Sequence, residues 1–298
     1  MGLSLSEYGI TVRETGELEK YPEENGFYRR LGLDWIPPEL REAAGEIERA
    51  EVGTLPSLVE QRQLRGDLHA HTDWSDGQVP LGGMADAARA RGYEYLAVTD
   101  HSAGRGIAHG LDAERLRRQI AEIRSYNLKS SGFRLLSGCE VDIRADGSLD
   151  APDELLAELD VVVASIHSGM SQARERMTER IIKALRNPHM DILGHPTARL
   201  INQREPLAMD LEEVMKTALR YGKALEINAM PSRLDLNDTH ARRARELGVK
   251  LVISTDAHSP EHLDFIRFGI GMARRAWCET SDILNTRSVA VLLEALRT

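Results

Sequence analysis

Asp67-Leu68-His69-Ala70-His71-Thr72-Asp73-Trp74-Ser75-Asp76-Gly77 follows directly on an apolar run, Leu64–His71, with the length and composition of a buried strand. Alternate side chains on a strand face the same way, so Asp67, His69 and His71 are expected to point to one side. The same event recurs downstream. Tyr93–Thr99 leads into Asp100-His101, and Arg134–Ile143 carries Glu140 and Asp142. Val161–His167 ends in His167, Met190–His195 in Gly194-His195, and Val249–Thr255 in Asp256-Ala257-His258. Ala224–Ala229 is a seventh run of the same kind.

Helical patterns lie between these runs, at Met84–Arg91, Ala113–Tyr126, Pro152–Leu159, Ala173–Leu185, Leu211–Tyr221 and Thr239–Leu247, with Pro260–Trp277 and Ser288–Leu296 after the last. Gly92, Gly132, Gly222 and Gly248 stand just after helical stretches, where a left-handed cap is wanted. Strand and helix alternating about seven times imply a parallel sheet with both faces covered. The fold expected is α/β, a distorted seven-stranded (β/α)7 barrel, and 298 residues accommodate it. Barrel enzymes place their active sites at the C-terminal ends of the strands. Six of the ten histidines fall there, while His109, His189, His240 and His262 lie in helices or loops. One histidine at a strand end is ordinarily core or surface; their coincidence at nearly every strand end predicts a metal cluster. Imidazole suits zinc, manganese or iron, and a carboxylate can bridge two ions.

Residues 1–65 read differently. Glu7–Val12 and Leu18–Tyr21 flank Gly16 as a hairpin, a short helix is expected around Glu23–Leu31, and Pro37-Pro38 cannot continue it. Glu46–Gln63 reads as a connecting segment. The N-terminus has no signal-peptide pattern and no apolar run reaches the roughly 18 residues of a membrane span. Two distant cysteines, Cys139 and Cys278, support no disulfide framework, so a reducing cytoplasm is the expected compartment. A net charge of −9 argues against holding nucleic acid by a broad basic surface, though not against gripping a phosphate through metals. No phosphate-binding G-x-x-x-x-G-K-[ST] loop, H-E-x-x-H or G-x-S-x-G is present, Gly104–Gly110 reads as a loop, and Arg242-Arg243-Arg245 as a solvated helix face.

Taken together, His69-x-His71, Thr99-Asp100-His101, Glu140, His167, Gly194-His195-Pro196 and Asp256-Ala257-His258 resemble the motif set of the PHP (polymerase and histidinol phosphatase) domain. The resemblance covers about residues 64–298, with Asp76 as the ninth ligand position. It implies that His69, His71, Glu140 and Asp256 hold one ion, that Glu140 bridges to a second held by His167 and His195, and that Asp76, His101 and His258 hold a third. Further stretches, among them Gly110-Leu111-Asp112, His195–Leu200 and Arg233-Leu234-Asp235-Leu236, resemble the C-terminal PHP domain of bacterial family X DNA polymerases. Leu5–Gly9 and Leu31–Glu42 resemble the end of that polymerase's catalytic module. The domains implied are an appendage and linker at 1–65 and a phosphoesterase domain at 66–298. Residues 1–65 contain neither helix-hairpin-helix motifs nor nucleotidyl-transfer carboxylates, so polymerase activity is not expected.

The activity implied is hydrolysis of a phosphoester by two to three divalent ions, zinc, manganese or iron. Paired ions about 3.5–4 Å apart can clamp both the attacking and leaving oxygens. His69, His71, Glu140, His167 and Asp256 would stand closest to the chemistry. Arg199 and Arg233 follow strand ends and are expected either to fork onto phosphate oxygens or to form structural ion pairs. Asp67, Asp100 and Asp142 are expected to orient histidine rings. DNA ends are the leading substrate, for a 3′–5′ exonuclease or an abasic-site or 3′-end processing nuclease, and the resemblance admits a separate polymerase module as partner. The rivals are a small-molecule phosphatase and a non-catalytic domain of a polymerase assembly.

Overall fold

A computed structural model of the chain describes residues 2–104 and 108–296. The middle of the expected Gly104–Gly110 loop, Arg105–Ile107, lies outside the described residues. Two compact units divide at Ser57/Leu58, upstream of the 65/66 boundary read from the sequence.

The first unit opens with a three-stranded antiparallel sheet in the order β1 (Leu3–Ser6), β2 (Gly9–Val12), β3 (Leu18–Glu19). The sequence reading placed Glu7 and Tyr8 inside a strand; they form the turn between β1 and β2 instead. Gly9 permits it, since its φ of +137° suits glycine and a Cβ there would run into the carbonyl oxygen of Glu19. Helix α1 (Glu24–Arg30) follows, then a 3-10 turn at Pro38–Leu40 and a short α2 (Glu46–Glu51) within the expected connecting segment.

The second unit is the barrel. Seven parallel strands run in the order β10-β9-β8-β7-β6-β5-β4: β4 (Gly66–Asp67), β5 (Tyr95–Val98), β6 (Arg134–Asp142), β7 (Val161–Ser165), β8 (Ile192–Leu193), β9 (Ala224–Asn228) and β10 (Leu251–Ser254). Helices α3 (Leu81–Ala90), α4 (Ala113–Lys129), α5 (Asp153–Leu156), α6 (Arg174–Leu185), α7 (Leu211–Arg220) and α8 (Asp238–Leu247) alternate with them. Asp112, Asp210 and Asn237 cap α4, α7 and α8 through side-chain oxygens that accept from the backbone three residues on. The expected helix 260–277 divides into a 3-10 segment, Pro260–Phe265, and α9 (Ile266–Arg275). Among the described residues no helix is long and apolar enough to cross a membrane.

Period-two alternation sorts the strand residues into two cores. Leu96, Val98, Val162, Ala164, Leu225, Ile227, Leu251 and Ile253 pack in one large cluster with residues of the surrounding helices. Tyr95, Ala97, Leu136, Val161, Val163, Ala224 and Val252 fill the other, together with Leu292, Leu293 and Leu296 of α10 (Val289–Leu296). Along the second face the side chains turn polar toward the strand C-termini: Glu140 and Asp142 on β6, Ser165 on β7, Glu226 and Asn228 on β9. That change from apolar floor to polar mouth positions the site.

The barrel does not close by a ladder between β4 and β10. Asn285, fully buried, fills the seam: its Nδ2 donates to the carbonyls of Gly66 (2.8 Å) and Ile253 (2.7 Å), and its Oδ1 accepts from Ile253 N (3.0 Å). Toward the mouth, Asp67 accepts from Thr255 Oγ1 at 2.6 Å, and His71 N donates to the Ala257 carbonyl at 2.8 Å.

Candidate metal centre

All nine expected ligand residues converge at the C-terminal mouth. Glu140, 1% exposed, stands at the middle. Its Oε1 lies 2.9 Å from His195 Nε2 and 3.2 Å from His167 Nε2. Its Oε2 lies 2.9 Å from His101 Nδ1, 3.5 Å from His69 Nε2 and 3.7 Å from His71 Nε2. Asp256 Oδ1 is 3.2 Å from His71 Nε2 and 3.7 Å from His69 Nε2. Asp76 approaches His101 Nε2 at 3.5 Å and His258 Nε2 at 3.4 Å. Three sets have donor atoms within 4.8 Å of one another: His71, Asp76, His101 and His258; His69, His71 and Asp256; and His101, Glu140 and His167. His195 falls outside the third set, although its ring reaches Glu140.

These residues fit divalent cations on two observations. His69 Nε2, both ring nitrogens of His71, His101 Nδ1 and Glu140 Oε2 are buried and, close as some of them stand, have no aligned hydrogen-bond partner among the described residues. Buried polar atoms are otherwise almost always paired, and a cluster of orphans facing a common space is what a cation would satisfy. The electrostatics agree. Burial, reinforced by His258 and His101, holds His71 down to about 3; burial and Arg233 hold His195 down to about 4. Both are therefore neutral at pH 7, with lone pairs to give. Burial works against charge on Glu140, yet His167, His101 and His69 around it keep its pKa below the usual carboxylate range. Burial also opposes charge on His101, but Glu140 and Asp76 raise it to about 10, so positive charge is wanted where these carboxylates meet.

The backbone is strained at this mouth. His195, Ala198, Leu234 and Asp256 all have left-handed φ, of +26°, +49°, +44° and +54°. Gly194 allows the crowding before His195, since a Cβ there would lie 2.5 Å from Ser165 Oγ and 2.7 Å from Val163 Cγ1.

The aspartates behind the cluster divide. Asp142 accepts from His167 Nδ1 at 2.6 Å, the expected ring-orienting contact. Asp67 and Asp100 orient no ring. Asp67 accepts from the backbone N of His69 and from Thr255. Asp100 gathers Thr72, Ser75 and Gln119 and so holds the loop that carries Asp76. The expected face of Asp67, His69 and His71 fails at Asp67 because the regular ladder ends there, and Leu68 turns into the inner core.

The two arginines also divide. Arg199 gives Nε to the Arg233 carbonyl at 2.7 Å and Nη2 to that of Leu234. Those donors brace the neighbouring loop and form no fork toward a phosphate. Arg233 stands beside the cluster, with Nε 3.4 Å from Asp256 Oδ2 and a buried Nη1 without a hydrogen-bond partner among the described residues. Of the other histidines, His262 comes near, its Nδ1 3.3 Å from the backbone N of His258.

Sequence reading assigned no role to Glu226 or Asn228, both fully buried. The available signal was two polar residues of one parity in the otherwise apolar strand Ala224–Asn228.

Fold and donor set define a metal-dependent barrel hydrolase. Residues 67–230 match the family model described as PHP domain, and residues 1–42 match that of the DNA polymerase beta thumb. The chain is 46% identical over 288 residues to the DNA polymerase/3'-5' exonuclease PolX of Bacillus subtilis (strain 168), covering 97% of this chain but only 50% of that protein. It therefore spans about half the length of this curated relative. A probable phosphatase of Thermoanaerobacter sp. (strain X514) is 32% identical over 74% of this chain and 89% of its own length. In fold, the chain is similar to the histidinol phosphate phosphatase of Lactococcus lactis, solved with zinc, L-histidinol and phosphate. The TM-score is 0.51 at 17% identity, over 70% of this chain and 93% of that one. The chain belongs to the PHP domain family of metal-dependent phosphoesterases.

Proposed function

We propose that this chain hydrolyses phosphodiesters at DNA ends, as a 3′–5′ exonuclease or an abasic-site or 3′-end processing nuclease, through two to three ions of zinc, manganese or iron. The position of Glu140 carries the metal-centre reading: its two oxygens face different histidines, the arrangement a bridging carboxylate needs. In this reading His69, His71, Glu140 and Asp256 hold one ion, Glu140, His167 and His195 a second, and Asp76, His101 and His258 a third. When bound, the ions supply Lewis acidity and an activated water at neutral pH. The chain's own residues hold that arrangement and the substrate. Asp142 fixes the His167 ring, Asp100 holds the Asp76 loop, and Arg233 offers guanidinium donors to a phosphate oxygen.

Similarity along 97% of the chain to a protein named as a 3'-5' exonuclease supports the DNA substrate, as does the thumb match at residues 1–42. A second reading, a phosphatase of small phosphate monoesters, is favoured by the net charge of −9 and by the probable phosphatase matched over 89% of its length. The test compares hydrolysis of a labelled single-stranded oligonucleotide with that of p-nitrophenyl phosphate after loading with each metal. Faster turnover of the monoester would transfer the assignment to the second reading. Elemental analysis should find between two and three equivalents of metal. Less than one after reconstitution would exclude the centre.

A further inference from the structure

Glu226 accepts three hydrogen bonds on its two oxygens. Oε1 takes His69 Nδ1 at 2.8 Å; Oε2 takes the backbone N–H of His195 at 2.6 Å and Asn228 Nδ2 at 3.1 Å. Asn228 Nδ2 also lies 3.2 Å from Asp256 Oδ2. One buried carboxylate thus meets residues from two of the three proposed ion sites, His69 and His195, and reaches Asp256 through its neighbour.

The contact with His69 has a chemical consequence. A neutral imidazole carries one N–H, and the nitrogen without it keeps the lone pair. With the proton on Nδ1, directed at Glu226, the lone pair falls on Nε2. That atom is buried, has no hydrogen-bond partner among the described residues, and faces Glu140 and Asp256. We propose that Glu226 is a positioning residue that holds His69 in the Nδ1–H tautomer, so that Nε2 is presented to the cation, and ties the His195 backbone to the same frame. The assignment rests on the metal-centre reading above. Glutamine cannot do the same. An amide NH2 at the Oε2 position would face two donors. At the Oε1 position it would face His69 Nδ1 and drive the ring proton onto Nε2, removing the lone pair from the cation's side.

The probe is zinc, bound to the full chain with 15N-labelled histidine. In the wild type, the His69 signal, assigned by its loss in His69→Gln, should show a hydrogen-bonded proton on Nδ1 and zinc at Nε2. In Glu226→Gln that proton signal should disappear, and zinc affinity, measured by chelator competition, should fall about 10- to 100-fold. Asn228→Ala, which keeps the Glu226–His69 contact, should retain the proton. Zinc at His69 Nδ1 in the wild type overturns the proposal even if the glutamine variant does not fold, and so does equal zinc affinity in variant and wild type. A wild-type chain that takes up no zinc, manganese or iron fails at the earlier step, refuting the metal centre and this role with it.

Discussion

Arg233→Ala separates gripping the substrate from holding the metals. The Arg233 side chain is 15% exposed, with Nε 3.4 Å from Asp256 Oδ2, and its buried Nη1 has no hydrogen-bond partner among the described residues. If that group meets a phosphate oxygen, the substitution removes a charge-assisted hydrogen bond worth about 1.5–3 kcal/mol. In the transition state that is roughly a 10- to 150-fold loss in kcat/KM. Metal content should not fall, for two reasons. Asp256 loses a competing cation, which leaves its carboxylate freer for a divalent ion. His195, held down to about 4 by burial first and Arg233 second, keeps the larger cause and stays neutral at pH 7. The assay is steady-state kinetics on the better substrate, paired with elemental analysis of the same preparation. Arg233→Lys keeps the charge without the planar fork and should recover only part of the rate. An unchanged kcat/KM would falsify the phosphate role, and metal loss in step with activity loss would show that Arg233 serves Asp256 instead.

Glu140→Ala should abolish hydrolysis and lower metal occupancy while His240→Ala does neither; equal effects from both would refute the bridging assignment. Asn285→Ala leaves buried backbone groups of Gly66 and Ile253 unpaired across the barrel seam, a loss of about 3 kcal/mol or more. For a unit of this size that lowers Tm by roughly 6–12 °C, and a shift under about 2 °C in a melting curve would mean that the seam is held otherwise. Burial raises Asp235 to about 7, against hydrogen bonds from Thr197, whereas an unfolded aspartate titrates near ~3.9. The folded chain therefore keeps a proton that the unfolded chain has released. Stability from this group is full below the unfolded value and is lost as pH rises through about 7. Asp235→Asn should flatten the stability profile between about pH 4 and 7 in urea unfolding, and parallel profiles for variant and wild type would contradict it.

The barrel and most of its mouth were legible because both follow from local pattern. Each of the seven apolar runs is buried on two faces, and the ligand-type residues end six of them, so the convergence of His69, His71, His101, Glu140, His167, His195, Asp256 and His258 needed only parallel strands. The first unit was less legible. A glycine φ of +137° at Gly9 turns the chain where alternation alone suggested a strand continuing from Glu7.

By itself, then, the sequence determined the strand–helix alternation, the polar ends of the strands and the chemical type of the centre. Periodicity records which side of a strand a residue occupies, and composition records what that residue can bind. Neither records what lies across the barrel. Glu226 meets His69 from 157 positions away, Asn285 fills a seam between the first and last barrel strands, and Arg233 lies beside Asp256. Those pairings depend on where each ladder stops and on left-handed residues such as His195 and Asp256, which redirect the chain just beyond it. Packing of the whole barrel sets those torsions, so only the tertiary structure could assign the partners.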